Sequence, residues 1–245
     1  MKLTHYIAGL LLISSVSLKA QDSYASIMKT KPDTGKHFDH KMTDGFVGLG
    51  FVLGPQQTGS TVKLGSSREF IVGFGMGYKF CKYDGLGLDI YYKSTDFYLK
   101  QDSTKVLPTN AQHQSEKIAF NNFGGLVFDR IYMGSVFLDA GFYLDWAFDT
   151  KDVTWDNSNN VGNPNSTTTK TINSPLSFTN STNYGLTFRF GKQRGVSLYF
   201  SYRLSKVFNP NYNSNQSAPN TSGAQVLTPY PELPPYVLGI VLGNH

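Results

Sequence analysis

The chain has 245 residues, 40% hydrophobic and 14% aromatic but only 16% charged, where soluble domains carry about 25% charge. One cysteine against 24 glycines, 18 phenylalanines and 15 tyrosines excludes a disulfide scaffold, a zinc ribbon and an iron–sulfur cluster, and the apolar content excludes a disordered chain. The composition fits an aromatic, glycine-punctuated all-β protein large enough to close a barrel.

Residues 1–20 read as a secretory signal: Lys2, an apolar run from Ile7 to Val16, then Leu18-Lys19-Ala20. The run is too short to span a bilayer and is followed at once by polar residues. The mature chain is expected from Gln21, without a cysteine there to carry a lipid anchor. Losing Lys2 and Lys19 lowers the formal charge from +5 to +3. That weak bias, with no stripe of bases interleaved with aromatics, gives no sign of a nucleic-acid partner. Residues 21–41 form an arm with Lys29, Lys31, Lys36 and Lys41, broken by Pro32 and Gly35 and read as a leader before the first strand.

From residue 42 onward the pattern has period two. Val47, Leu49, Phe51 and Leu53 alternate with Gly48 and Gly50. Phe70, Val72, Phe74, Met76, Tyr78 and Phe80 alternate with Ile71, Gly73, Gly75, Gly77 and Lys79. The same division recurs at 86–93, 136–146, 184–190, 196–205 and 236–243. Lys117 to Phe128 is the weak candidate, since Ile118, Phe120, Leu126 and Phe128 share a face with Asn122 and Gly124. Eight strands result. Their connections alternate between tight turns, near Lys82 to Gly85, Asp129 to Arg130 and Gly191 to Gly195, and long polar stretches at 54–67, 100–115, 150–177 and 209–235. The spacing predicts an eight-stranded, antiparallel, up-and-down transmembrane β-barrel with short periplasmic turns and long extracellular loops. A soluble lipocalin-like ligand barrel is the alternative, but its water-facing side would be mostly glycine.

Together with the signal segment, Gly-Phe-Val-Gly-Leu-Gly-Phe at 45–51 and the glycine-aromatic stretches at 70–80 and 184–190 make the chain resemble the outer-membrane β-barrel domain proteins of Bacteroidota, the PorT-like group. The resemblance runs from about residue 42 to the end. It implies an outer-membrane location and a barrel fold rather than an activity.

Strand parity places Asp44, Glu69, Lys79, Asp89, Lys93, Asp139, Asp145, Arg189 and Arg203 inside the barrel. The near balance of acids and bases suits a plugged interior with paired charges better than a selective pore. Lys93, Asp139 and Arg203 are expected at similar height, with Asp139 pairing to Lys93 or Arg203. No catalytic set is read. His37, His40, His113 and His245 lie on the arm, in a loop or at the terminus, away from any strand serine. His37 and His40 read as part of a solvated arm rather than metal ligands, and Cys81 as a small filler beside a turn. No cofactor or metal is expected. The expected role is non-enzymatic, structural or interactive, with outer-membrane lipids and possible envelope proteins as partners; a narrow passage for ions or small molecules is the alternative.

Overall fold

A computed structural model describes residues 41–157, 168–209 and 230–244, all within a unit spanning Asp39–His245. The signal segment, the arm through residue 40 with His37 and His40, the stretches 158–167 and 210–229, and His245 lie outside the described residues. The described part is all β, with no helix. Its strands are β1 (Lys41–Leu53), β2 (Arg68–Cys81), β3 (Asp84–Tyr98), β4 (Ser115–Met133), β5 (Val136–Asn157), β6 (Thr168–Asn173), β7 (Thr182–Lys192), β8 (Arg194–Arg203) and β9 (Tyr236–Asn244).

Eight of these close a barrel. Around the ring the order is β1-β2-β3-β4-β5-β7-β8-β9, every pair is antiparallel, and β9 returns to β1 through Phe46↔Gly243 to Leu53↔Tyr236. The ninth strand, β6, pairs only with the far end of β5, from Asp152↔Asn173 to Asn157↔Thr168. It falls within a stretch that reads as loop from sequence, because Thr-Thr-Lys-Thr-Ile-Asn carries no alternation of large apolar residues; all six of its residues are exposed.

Alternation works as the sequence implies: outward positions are apolar, while inward positions are small, aromatic, polar or charged, with a few aliphatics such as Ile118, Leu126 and Val241. On β2 the exposed series is Phe70, Val72, Phe74, Met76, Tyr78 and Phe80. Every ring strand contributes to this apolar exterior, from Leu49 at 59% exposure on β1 to Trp146 at 58% on β5. Eight strands leave a narrow interior, so inward tyrosines and phenylalanines fit only where a neighbouring strand offers glycine. A Cβ on Gly87 would collide with the Phe128 ring, and one on Gly50 or Gly239 with the Tyr199 ring.

Two strands depart from the sequence reading. β4 is the weak candidate by pattern, yet it runs unbroken for 19 residues. Ile118, Phe120, Leu126 and Phe128 are buried inside, while Phe123, Val127, Ile131 and Met133 face out. The predicted turn at Asp129 to Arg130 is therefore strand, and the link to β5 is Gly134–Ser135, with Gly134 at φ 69°. On β5 the register steps from Asn121↔Asp149 to Asn122↔Ala147, leaving Phe148 as a bulge. Below it the inward positions are odd (Phe137, Asp139, Tyr143, Asp145); above it they are even (Thr150, Asp152, Thr154). A bulged residue shifts the faces in this way.

The tight packing of rings over glycines predicts that Gly87→Val destabilises the barrel by about 1–3 kcal/mol through overpacking against Phe128. Gly45→Ala, where a Cβ meets nothing within 4 Å, should leave the urea midpoint unchanged.

Candidate functional site

The interior holds two charged clusters under an apolar cap. Nearest the Gly134–Ser135 link, Asp139 on β5 stands in register between Arg130 on β4 and Arg189 on β7. Arg130 donates to it through Nε at 2.7 Å and Nη2 at 2.9 Å, a bidentate pair, and Arg189 Nε lies 2.9 Å from Oδ2. Each arginine then reaches across the interior. Arg130 Nη1 donates to Asp44 of β1 at 3.2 Å, and Arg189 Nη1 to Asp89 of β3 at 2.7 Å. Three carboxylates and two guanidiniums thus tie five strands together, and all five residues are buried. The guanidinium planes stack on rings, Arg130 at 4.3 Å from Phe137 and Arg189 at 4.5 Å from Phe128, which suits their weak hydration.

The second cluster centres on Lys93 of β3, which forms an ion pair with Asp145 of β5, lies 4.0 Å from Glu69 of β2 and sits 4.5 Å above the Tyr143 ring. Tyr91 donates to Asp145 at 2.7 Å; Thr95 and Tyr199 each donate to Glu69 at 3.1 Å. Two small cavities of about 40 and 30 Å³ adjoin here, sharing Glu69, Lys93, Tyr143 and Ser201 as lining. Such volumes hold about two or three waters each. Arg203, half-buried at the end of β8, lines the upper cavity and donates to the Leu233 carbonyl at 2.6 Å. At this end Val62, Leu99, Leu107, Phe178, Phe208 and Leu233 from the long connections join Phe97, Phe120 and Val237 of the strands in one buried apolar cluster.

The structure corrects the expected pairing. Asp139 pairs with Arg130 and Arg189, not with Lys93 or Arg203, and the three residues do not share a height. Asp139 lies four residues beyond the Gly134–Ser135 link, whereas Lys93 lies ten beyond Tyr83. Of the other predicted interior charges, Asp44, Glu69, Asp89, Asp145 and Arg189 are buried, and Lys79 is half-buried with its ammonium 4.6 Å over the Tyr132 ring. Sequence reasoning misses Arg130, the largest fully buried side chain among the described residues, because the turn expected at Asp129 to Arg130 falls on it. The continuing alternation Phe128, Arg130, Tyr132 is the signal that finds it. Cys81 ends β2 half-buried, beside the Lys82–Tyr83 link.

Beyond Trp146↔Thr182, β5 leaves β7 and rises above the ring with β4 and β6. On the inner side of this extension Lys105 forms a buried ion pair with Glu116 at 2.7 Å and donates to the Thr109 and Ala111 carbonyls. Asp152 is buried beside Glu116, with Asn173 as its hydrogen-bond donor at 3.4 Å. Burial, reinforced by the Glu116 charge, pushes the Asp152 carboxyl up to about 6. His113 Nδ1 lies 2.8 Å from Asp156, a hydrogen bond that holds the Asp156 carboxyl below the usual range. Among the described residues no group of three or more His, Cys, Asp or Glu is placed to hold a metal ion.

Two outcomes follow from these arrangements. Asp139→Ala leaves two buried arginines short of a carboxylate and should cost about 3–5 kcal/mol; a double-mutant cycle should show coupling with Arg130→Ala but additivity within about 0.5 kcal/mol with Lys93→Ala, read from urea unfolding. Because the folded pKa of Asp152 is raised, its contribution is fully present below the unfolded pKa near 4 and is lost as pH rises through 6. Amide exchange in β6 should therefore quicken between pH 4 and 6 at constant intrinsic rate, and Asp152→Asn should abolish that step.

Compared with known proteins, the chain matches no family model and no curated protein.

Proposed function

We propose that this chain is an outer-membrane β-barrel, its strands running up and down between short periplasmic links and long extracellular connections, and that it serves as a non-conducting structural or interaction protein of the envelope. The observation that carries the reading is the inversion of polarity around a closed wall. Leu49, Phe74, Ile90, Val127, Leu144, Phe188, Leu198 and Ile240, one from each ring strand, face outward with 43% to 59% exposure, while charges face inward. In water that surface is a continuous apolar belt on all sides, far beyond the patches soluble monomers tolerate. In hydrocarbon it is the expected exterior, and ring closure leaves no unpaired strand edge for lipid to meet. The same polarity argues against a soluble ligand barrel, which would place its apolar side inside.

Aromatic rings mark the long-connection end of this belt: Tyr92, Phe123, Trp146 and Phe148 form one contiguous group, and Phe200, Tyr202 and Tyr236 another. Amphipathic rings favour the membrane–water boundary. The interior supports the non-conducting reading over a passage: the Arg130–Asp139–Arg189 row and its cross-links span the barrel at one level, the adjoining cavities are only about 40 and 30 Å³, and apolar residues of the long connections are buried against the strands at the other end. Outer-membrane lipids are then the first partners, and a protein of the envelope recognised by the long connections is the second. The group resemblance from the signal segment and the glycine-aromatic stretches agrees with this assignment.

Purified protein should partition into lipid vesicles, show heat-modifiable gel mobility and give no steady conductance in a planar bilayer. Full solubility as a detergent-free monomer would overturn the membrane reading, and stable wild-type channels would replace the scaffold reading with a passage. Phe74→Arg, at mid-strand on the outer face, should cost about 2–4 kcal/mol in lipid.

A further inference from the structure

The outer faces of the strands differ sharply from one side of the barrel to the other above the aromatic groups. On β7, β8 and the start of β9 the outward positions at this end are Thr182, Tyr184, Tyr202 and Tyr236, without charge, and the exposed Lys206 just beyond β8 is a single base on that side. On β2 to β6 they carry Arg68, Lys117, Lys151 and Lys170 against two acids, Asp96 and Asp149. The register makes a patch of them. Arg68 is opposite Asp96 and Ala119 is flanked across the strands by Asp96 and Lys151, with Lys117 two residues away on the same face. Lys170 stands opposite Trp155 with its ammonium 5.9 Å from that ring.

We infer that this wall binds the phosphate-bearing headgroups of acidic lipids in the leaflet at the long-connection end. The inference rests on the membrane reading above and adds a lipid class and a side to it. Position favours it: the bases lie directly over Tyr92, Phe123, Trp146 and Phe148, so a lipid whose chains lie along the belt places its headgroup beside them. Charge favours it as well. Asp96 and Asp149 already hold Lys117 at 2.7 Å and Lys151 at 2.6 Å, with side chains between 21% and 37% exposed; partly exposed ion pairs contribute little, which leaves both ammonium groups open to a competing phosphate. The Arg68 Nε donates to the Ser66 carbonyl at a long 3.4 Å, and its planar fork suits phosphate oxygens. Tyr92 donates to Asn121, and Asn121 to Asp149, so the polar rim is continuous with the rings below it.

Both tryptophans of the chain, Trp146 and Trp155, stand on this wall, which provides a direct assay. The full chain is inserted into phosphatidylcholine vesicles containing a minor fraction of either brominated phosphatidylglycerol or brominated phosphatidylcholine, and tryptophan quenching is compared. Wild type should be quenched more strongly by the acidic lipid. Arg68→Gln with Lys117→Gln and Lys151→Gln should lower that selectivity by about fivefold per base removed, and Lys192→Gln at the far end of β7 should not. Asp96→Asn with Asp149→Asn should raise it, which keeps the test decisive if the triple variant does not insert. Equal quenching by both lipids, or a triple variant as selective as wild type, overturns the inference while leaving the barrel in the membrane. Selectivity abolished by inorganic phosphate but not by sodium chloride of equal ionic strength would assign the wall to free phosphate instead. Failure to enter either vesicle overturns both this inference and the membrane reading.

Discussion

Closure of β9 onto β1 is the constraint from which the remaining structure follows. With both ends of the sheet paired, the ring strands satisfy their backbone groups laterally, and the choice of outer side chain is free of any need to bond water. The same closure fixes a small internal radius. Only positions that alternate with the outer face can fill it, and their volumes must sum to what eight strands enclose.

That narrowness explains why the interior combines rings, glycines and charges. Tyr199 lies over Gly50 and Gly239, Phe128 over Gly87 and Tyr91 over Gly124, so each large side chain uses the space a missing one vacates. Between the rings, charges cannot reach bulk water and must find each other. The Asp139 carboxylate does so within its own row, through neighbours on both sides, and the spare valence of each arginine reaches the opposite wall at Asp44 and Asp89. Cross-interior bonds of this kind fix the relative heights of strands that never touch, a role that apolar packing fills less specifically.

Much of this was legible from residue types alone. Period-two alternation locates all eight ring strands and gives the correct faces for β1, β2, β3, β7, β8, β9 and the part of β5 below Phe148, because one face is almost purely apolar there. It failed where that contrast fades. On β4 both faces carry apolar residues, so parity was uninformative and a turn displaced Arg130 from the interior. Pairing partners were out of reach for a different reason: which acid meets which base depends on the stagger between strands, and counting residues along one strand does not supply it. The extension above the ring, with Lys105 against Glu116, was hidden because polar strand and polar loop have the same composition.

The bulge at Phe148 has a consequence for how the molecule can vary. A strand that ran through without it would carry the parity of the barrel into the extension and put Lys151 inside and Asp152 outside. By resetting the phase at one residue, the chain decouples the two parts: the ring keeps the side-chain rhythm its closure demands, and the segment above follows its own. The extension can therefore lengthen, shorten or change composition without propagating a register error into the wall beneath it.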